Sequence, residues 1–139
     1  MSVSKQPLLD FRNDGPISIG TIRTSSVLSA VNVAEFGNEV LGYIKEHPKL
    51  NLLLNFENVD YLSSAVLTEL LRINKAIQET EGKLHLCAVS GTIREIFEIT
   101  NLDRIFVINS DGVEAGVRRF KRSLEIAERE AAWQEPERS

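Results

Sequence analysis

Apolar residues recur along the chain with two different periods, and the switches between them outline the elements. Ile17, Ile19 and Thr21 alternate with small or polar neighbours, the period of a strand with one face buried. Leu8 to Arg12 is a second extended stretch, and Asn13-Asp14-Gly15-Pro16 between the two has the composition of a tight turn, so the pair predicts a hairpin. From Val33 the spacing changes. Val33, Phe36, Val40, Leu41 and Ile44 lie on one face of a helix, with Asn32 and Glu35 placed to cap its start. Pro48 ends that helix, since its ring clashes with the preceding turn and it has no amide hydrogen to donate. Leu50-Asn51-Leu52-Leu53-Leu54-Asn55-Phe56 is almost unbroken apolar sequence, the composition of a strand covered on both faces, and it belongs at the centre of a sheet.

A second helix is predicted from Ser64 to Thr80, with Leu67, Leu70, Leu71, Asn74 and Ile77 along its inner face and Gly82 stopping it. Lys83 to Val89 returns as a strand. Thr92 with Glu95 forms a capping-box pattern for a third helix carrying Ile93, Ile96, Phe97 and Thr100 and ending near Asn101. Arg104 to Asn109 is a last short strand, and Ser110 or Asp111 is placed to cap a fourth helix bearing Val113, Val117, Phe120 and Leu124. Thr24 to Asn32, rich in Ser and Thr, predicts a loop or irregular strand. The expected organisation is one domain over 1–127, then a charged, partly disordered tail over 128–139, in which Trp133 either folds back or meets a partner. Alternating strands and helices with short links imply an α/β fold, a mixed and mainly parallel sheet covered by about four helices.

Composition narrows the function. A chain of 139 residues with 42% hydrophobic content suits a single core. A net charge of -4 supplies no positive reservoir for phosphate backbones or anionic lipid, so neither nucleic acid nor a membrane surface is the expected partner. Arg118, Arg119, Lys121 and Arg122 read as a solvated helix face. The opening residues lack the basic start and apolar stretch of a secretion signal, and no run approaches a membrane span, which points to the cytoplasm. The lone Cys87 lies in an apolar run as a small buried thiol, and His47 and His85 show no metal-ligand spacing. No phosphate-binding glycine loop, nucleophile elbow or Cys-x-x-Cys is present. The reading is therefore a non-enzymatic protein with no cofactor. A small-molecule site or enzyme would have to use Glu57 and Asp60, which flank a strand end and otherwise form a solvated turn.

The segment that remains is Val59-Asp60-Tyr61-Leu62-Ser63-Ser64-Ala65-Val66-Leu67, where the central strand gives way to a helix. The first N–H groups of a helix lack carbonyl partners, and the macrodipole leaves partial positive charge there. A serine at that point caps the helix. Once phosphorylated, it would place a dianion over the same end and change what a neighbouring protein meets.

These residues resemble the STAS domain of bacterial anti-sigma-factor antagonists. The likeness runs from about Leu50 to Ile108. It takes in the strand Leu52 to Phe56, the serine turn, Lys75-Ala76-Ile77, Glu81-Gly82-Lys83-Leu84 and Ile96 to Phe106, where Thr100-Asn101-Leu102-Asp103 stands for a Leu-Thr-Gly-Leu-Asp-like phrase. The family's switch motif, Asp-Ser-Ser/Thr/Ala-Gly-Leu, falls on Ser63 to Leu67, with Ser63 in place of the aspartate and Val66 in place of the glycine. The resemblance implies a phosphoacceptor at Ser64, with Ser63 the alternative, and a partner surface of Asp60, Ser63, Ser64, Ala65, Val66, Glu69 and Arg72, where valine adds bulk at a point of close approach. It implies as partners an anti-sigma factor of the kinase-like ATPase class and a phosphatase for the reverse step. A regulatory STAS subunit beside a transporter ATPase or within a larger sensory assembly is the other reading of the same fold.

Overall fold

β1 (Leu9–Asp14) and β2 (Ile17–Ile22) form the expected antiparallel hairpin, with Asp14 opposite Ile17 and Gly15 at φ +61° in the turn. They lead a five-stranded sheet in a computed structural model that describes residues 7–23 and 32–134, the last two as backbone alone. The Ser/Thr-rich segment, apart from Asn32, lies outside the described residues, as do 1–6 and 135–139. After α1 (Val33–Glu46) come β3 (Asn51–Asn55), α2 (Ser64–Glu79), β4 (Lys83–Cys87), α3 (Gly91–Ile99), a 3-10 turn (Leu102–Arg104), β5 (Val107–Ile108) and α4 (Val113–Gln134). The strands stand in chain order β1-β2-β3-β4-β5, parallel from β2 onward, so β3 is central as its apolar run requires.

That order decides where the helices go. Each crossover moves one strand in the same direction, and right-handed connections then place α1, α2 and α3 on one face. Alternation along β3 sorts the core accordingly. Leu52 and Leu54 join the cluster under those three helices, with Phe36, Val40, Leu70, Ile73, Ile93 and Phe97. Leu53 points the other way, to Ile17, Ile19, Cys87, Val117 and Phe120 beneath α4. α4 approaches the sheet closely at Gly116, where a Cβ would stand 2.8 Å from Cβ of Cys87.

Several local expectations are corrected. The inner face of α2 is Val66, Leu70, Ile73 and Ile77, while Leu71 is exposed and Leu67 and Asn74 are half-buried. The core at that point is met by Val66 and Ile73 rather than by Leu67 and Leu71. α3 is capped by Ser90, whose Oγ accepts from the N–H of Ile93 at 3.3 Å, so Thr92 lies inside the helix. Asn32 sits at the start of α1 in a helical conformation and its side chain makes no cap bond. α4 begins at Val113, so Gly112 rather than Ser110 or Asp111 stands in the cap position, its carbonyl oxygen accepting from the N–H of Gly116 at 2.9 Å, and Asp111 meets Arg119 at 2.6 Å. It also runs on to Gln134 through the stretch 128–134 expected to be tail. Glu81, not Gly82, takes the left-handed turn after α2, at φ +65°. Gly82 is needed for space, because a Cβ there would collide with the carbonyl oxygen of Leu50.

Candidate functional site

β3 ends at Asn55, which is nearly fully buried. Its Nδ2 donates to Oγ1 of Thr21 at 3.2 Å and its Oδ1 accepts from the N–H of Glu57 at 3.1 Å, fixing the direction in which the chain leaves the sheet. Phe56 and Val59 anchor the following turn in the core, closed by Val59 N–H to Phe56 O at 2.9 Å, and Asn58 donates to the carbonyl of Ile22 at 3.2 Å. The first half of the loop is thus tied down before the helix begins.

Ser63 holds the cap of α2, with an extended backbone at φ -104°, ψ 168°. Its Oγ accepts from the N–H of Val66 at 3.3 Å, and its carbonyl oxygen accepts from Val66 and Leu67. Ser64 is the first helical residue and is exposed, as is Ala65. Their N–H groups lie beyond the reach of intrahelical acceptors, and no acidic residue occupies the first turn. The positive end of the helix is therefore not offset by its own side chains, and the Ser64 hydroxyl stands beside it.

Of the partner surface expected from the sequence, Asp60, Ser63, Ser64, Ala65 and Arg72 are exposed together around this turn and the outer face of α2. Val66 is not part of it. Its side chain is fully buried in the core, because position 66 faces inward with Leu70 and Ile73, and the bulk it adds relative to glycine goes into the protein rather than toward a partner. Glu69 is only 13% exposed at its side chain and is held by Arg72 at 2.8 Å. Its carboxylate packs over Gly37 of α1, filling the place a Cβ there would need. Tyr61, half exposed two residues before the cap, was not singled out by sequence reasoning; a tyrosine in a polar turn carries no periodicity to betray it.

Glu57 lines a groove of about 630 Å³ with Arg12, Thr21, Asn55, Arg118 and the first turn of α4, but Asp60 is not among its walls, so the two do not line this groove together. On the α4 face, burial pushes the Cys87 thiol up to about 12, with the charge of Glu57 adding to the effect, so it stays protonated and unreactive at neutral pH. His85 stacks on Phe120 with ring centroids 3.8 Å apart, and burial, aided by Lys83, lowers it to about 4.

An α/β protein that has, among the described residues, a four-strand parallel run, an antiparallel edge hairpin, three helices on one face and one on the other is the class this geometry defines. Its family follows from comparison with known proteins: the model of the STAS domain matches residues 10–116, and the chain belongs to that family. It is 29% identical to BtrV of Bordetella bronchiseptica over 98 residues, 70% of this chain and 83% of that one. It is also 29% identical to the anti-sigma-B factor antagonist of Staphylococcus aureus over 93 residues, 67% of this chain and 84% of that one. Among solved structures, an anti-sigma-factor antagonist (STAS) domain protein from Planctomyces limnophilus superposes with a TM-score of 0.71 at 16% identity, covering 81% of this chain and 97% of that one. Asn101, next after the cap residue Thr100 of α3, takes φ +61°, a left-handed conformation that asparagine tolerates better than most residues, in the family's glycine position.

Proposed function

We propose that this chain is an anti-sigma-factor antagonist whose grip on its partner is switched at Ser64. In the unphosphorylated form it binds an anti-sigma factor of the kinase-like ATPase class and frees the sigma factor. Phosphate transferred to Ser64 releases that partner, and a phosphatase resets the switch. The observation that carries this reading is the division of labour between two adjacent serines. Ser63 is occupied with capping the helix, which leaves the Ser64 hydroxyl exposed at an electropositive tip with no hydrogen bond among the described residues to lose on modification. The S. aureus relative, named as an anti-sigma-B factor antagonist, supports an anti-sigma factor as the partner.

The chemistry of release is local. A phosphoserine carries close to two negative charges at neutral pH, and the free N–H groups of the first turn accommodate them within the antagonist. A partner pressed on the same turn would have to strip water from that dianion, which disfavours the complex. Calorimetric titration of the purified kinase-like anti-sigma factor from the same cells tests this. Ser64→Ala binds as the wild type does, and Ser64→Asp binds at least about tenfold more weakly, roughly 1.4 kcal/mol. Equal binding by the two variants removes the switch.

A further inference from the structure

The outer edge of β1 and the flank of α1 enclose another groove, of about 820 Å³, which shares no lining residue with the Ser64 turn. β1 ends the sheet, paired with β2 alone among the described residues. The N–H of Arg23 donates to the carbonyl of Leu8 at 3.2 Å, which sets the phase of the ladder: residues 10 and 12 turn their backbone groups to β2, and 9, 11 and 13 turn theirs outward. Leu9 agrees with that phase, since its N–H donates across the groove to Oε1 of Glu39 at 2.9 Å. The same carboxylate accepts from the N–H of Leu8, so Glu39 closes the start of the edge. Past it, the N–H and C=O of Phe11 have no partner among the described residues and open on the groove. The helix wall has a gap that the fold does not need. Gly42 is exposed in the interior of α1, where glycine is the least favourable residue short of proline, yet a Cβ there would meet nothing within 4 Å. Gly37 of the same helix is different, because Glu69 fills its space. A side chain left out where nothing in the chain takes its place makes room for a backbone from outside.

We propose that this groove binds an extended, basic segment of another protein, which adds to the sheet at Phe11 and passes its backbone over Gly42. Charge selects the occupant. Asp10, Glu35, Glu39 and Glu46 line the groove, and no lysine or arginine among the described residues does. Of the cations close by in sequence, Arg23 donates from Nη1 to the carbonyl of Pro7 at 3.2 Å, and Lys45 leaves α1 about 100° around the helix from Glu46 and is not a wall. Phe11 and Tyr43, stacked with ring centroids 3.9 Å apart, give the apolar side chains of the segment a floor. A nucleic acid or an acidic peptide meets only like charge here. The chain's own basic run, Arg118 to Arg122, is held in α4, so that run of a second copy does not supply the extended segment.

Fluorescence anisotropy with the whole chain titrated to about 500 µM tests this, the probe being a dye-labelled peptide of about eight residues in which lysine and valine alternate. The wild type binds it with a dissociation constant of roughly 10 to 100 µM, as suits a short segment that must be ordered on binding. A glutamate-valine peptide of the same length does not bind. The lysine-valine peptide N-methylated at alternate residues keeps its charge but loses its strand hydrogen bonds, and it binds at least about tenfold more weakly. Gly42→Leu, which fills the gap without changing charge, and Glu46→Lys each weaken binding of the unmodified peptide at least about tenfold. Both positions are exposed on α1, and a thermal melt no lower than that of the wild type shows that the fold is kept. A wild type that does not bind at the highest concentration overturns the proposal. Binding that Gly42→Leu leaves intact, or that the N-methylated peptide matches, overturns it as well, because charge alone then accounts for it.

Discussion

Replacing each of the two adjacent serines by alanine separates the cap from the acceptor, because the structure assigns the two substitutions opposite signs. Ser63 Oγ accepts from the N–H of Val66 at 3.3 Å, a long bond that the same N–H shares with the carbonyl oxygen of Ser63 at 3.1 Å. Loss of an N-cap side chain costs about 0.5–2 kcal/mol, and a long, shared bond belongs in the lower half, about 0.5–1 kcal/mol. For a chain of this size that lowers Tm by roughly 2–5 °C. Ser64 is exposed and first in the helix, where alanine is the better helix former, so Ser64→Ala leaves stability unchanged or raises it by a few tenths of a kcal/mol. Ser63→Asp, which installs the family's aspartate at the positive end of α2, adds about 0.3–1 kcal/mol. Urea unfolding followed by far-UV circular dichroism resolves differences of this size. If Ser64→Ala is destabilising and Ser63→Ala is neutral, the cap has been assigned to the wrong serine and the argument for an idle hydroxyl at Ser64 collapses.

Three further predictions concern the scaffold that presents this turn. Val66→Gly, which restores the family residue, empties a fully buried site and adds the entropy of a helical glycine, so it costs roughly 3 kcal/mol in the same urea titration; a neutral result would mean that Val66 is not in the core. Gly116→Val forces side-chain atoms onto Cys87 and Leu53 beneath α4 and destabilises by about 1–3 kcal/mol, whereas a silent substitution would show that α4 does not sit this close to the sheet. Stability also falls with acid in a defined window: His85 is lowered from 6.5 to about 4, so between those values the unfolded chain takes up a proton that the folded chain refuses. Up to about 3 kcal/mol is lost as pH falls through that range, and His85→Phe flattens the slope there; an unchanged slope would place the acid sensitivity elsewhere.

Much of the fold was legible because its strongest signals are local and redundant. The run from Leu50 to Phe56 cannot be solvated on either face, and it became the central strand. The hairpin, the order of helices and strands and the serine turn followed from turn residues and changes of period. What was misread depended on tertiary choice. α2 carries apolar residues at 66, 67, 70, 71, 73 and 77, more than one stripe can bury, and only packing against α1 and the sheet selects 66, 70, 73 and 77. Val66 was drawn to the surface by analogy with a glycine of the family, although its inward position is what lets the chain carry a valine there. Ser90 was passed over as a cap because Thr92 and Glu95 offered a more familiar pattern. The charged stretch after Glu128 hides a helix because its apolar contribution is only Ala131 and Ala132 before Trp133.

The central claim is that Ser64 is the group modified, and the most direct measurement is the intact mass of the protein isolated from its own cells, followed by fragmentation to locate any added phosphate. The account predicts a population heavier by one phosphoryl group, mapped to Ser64 and lost on treatment with a phosphatase. Phosphate located on Ser63 with Ser64 unmodified, or no phosphorylated population in any growth state, would contradict it.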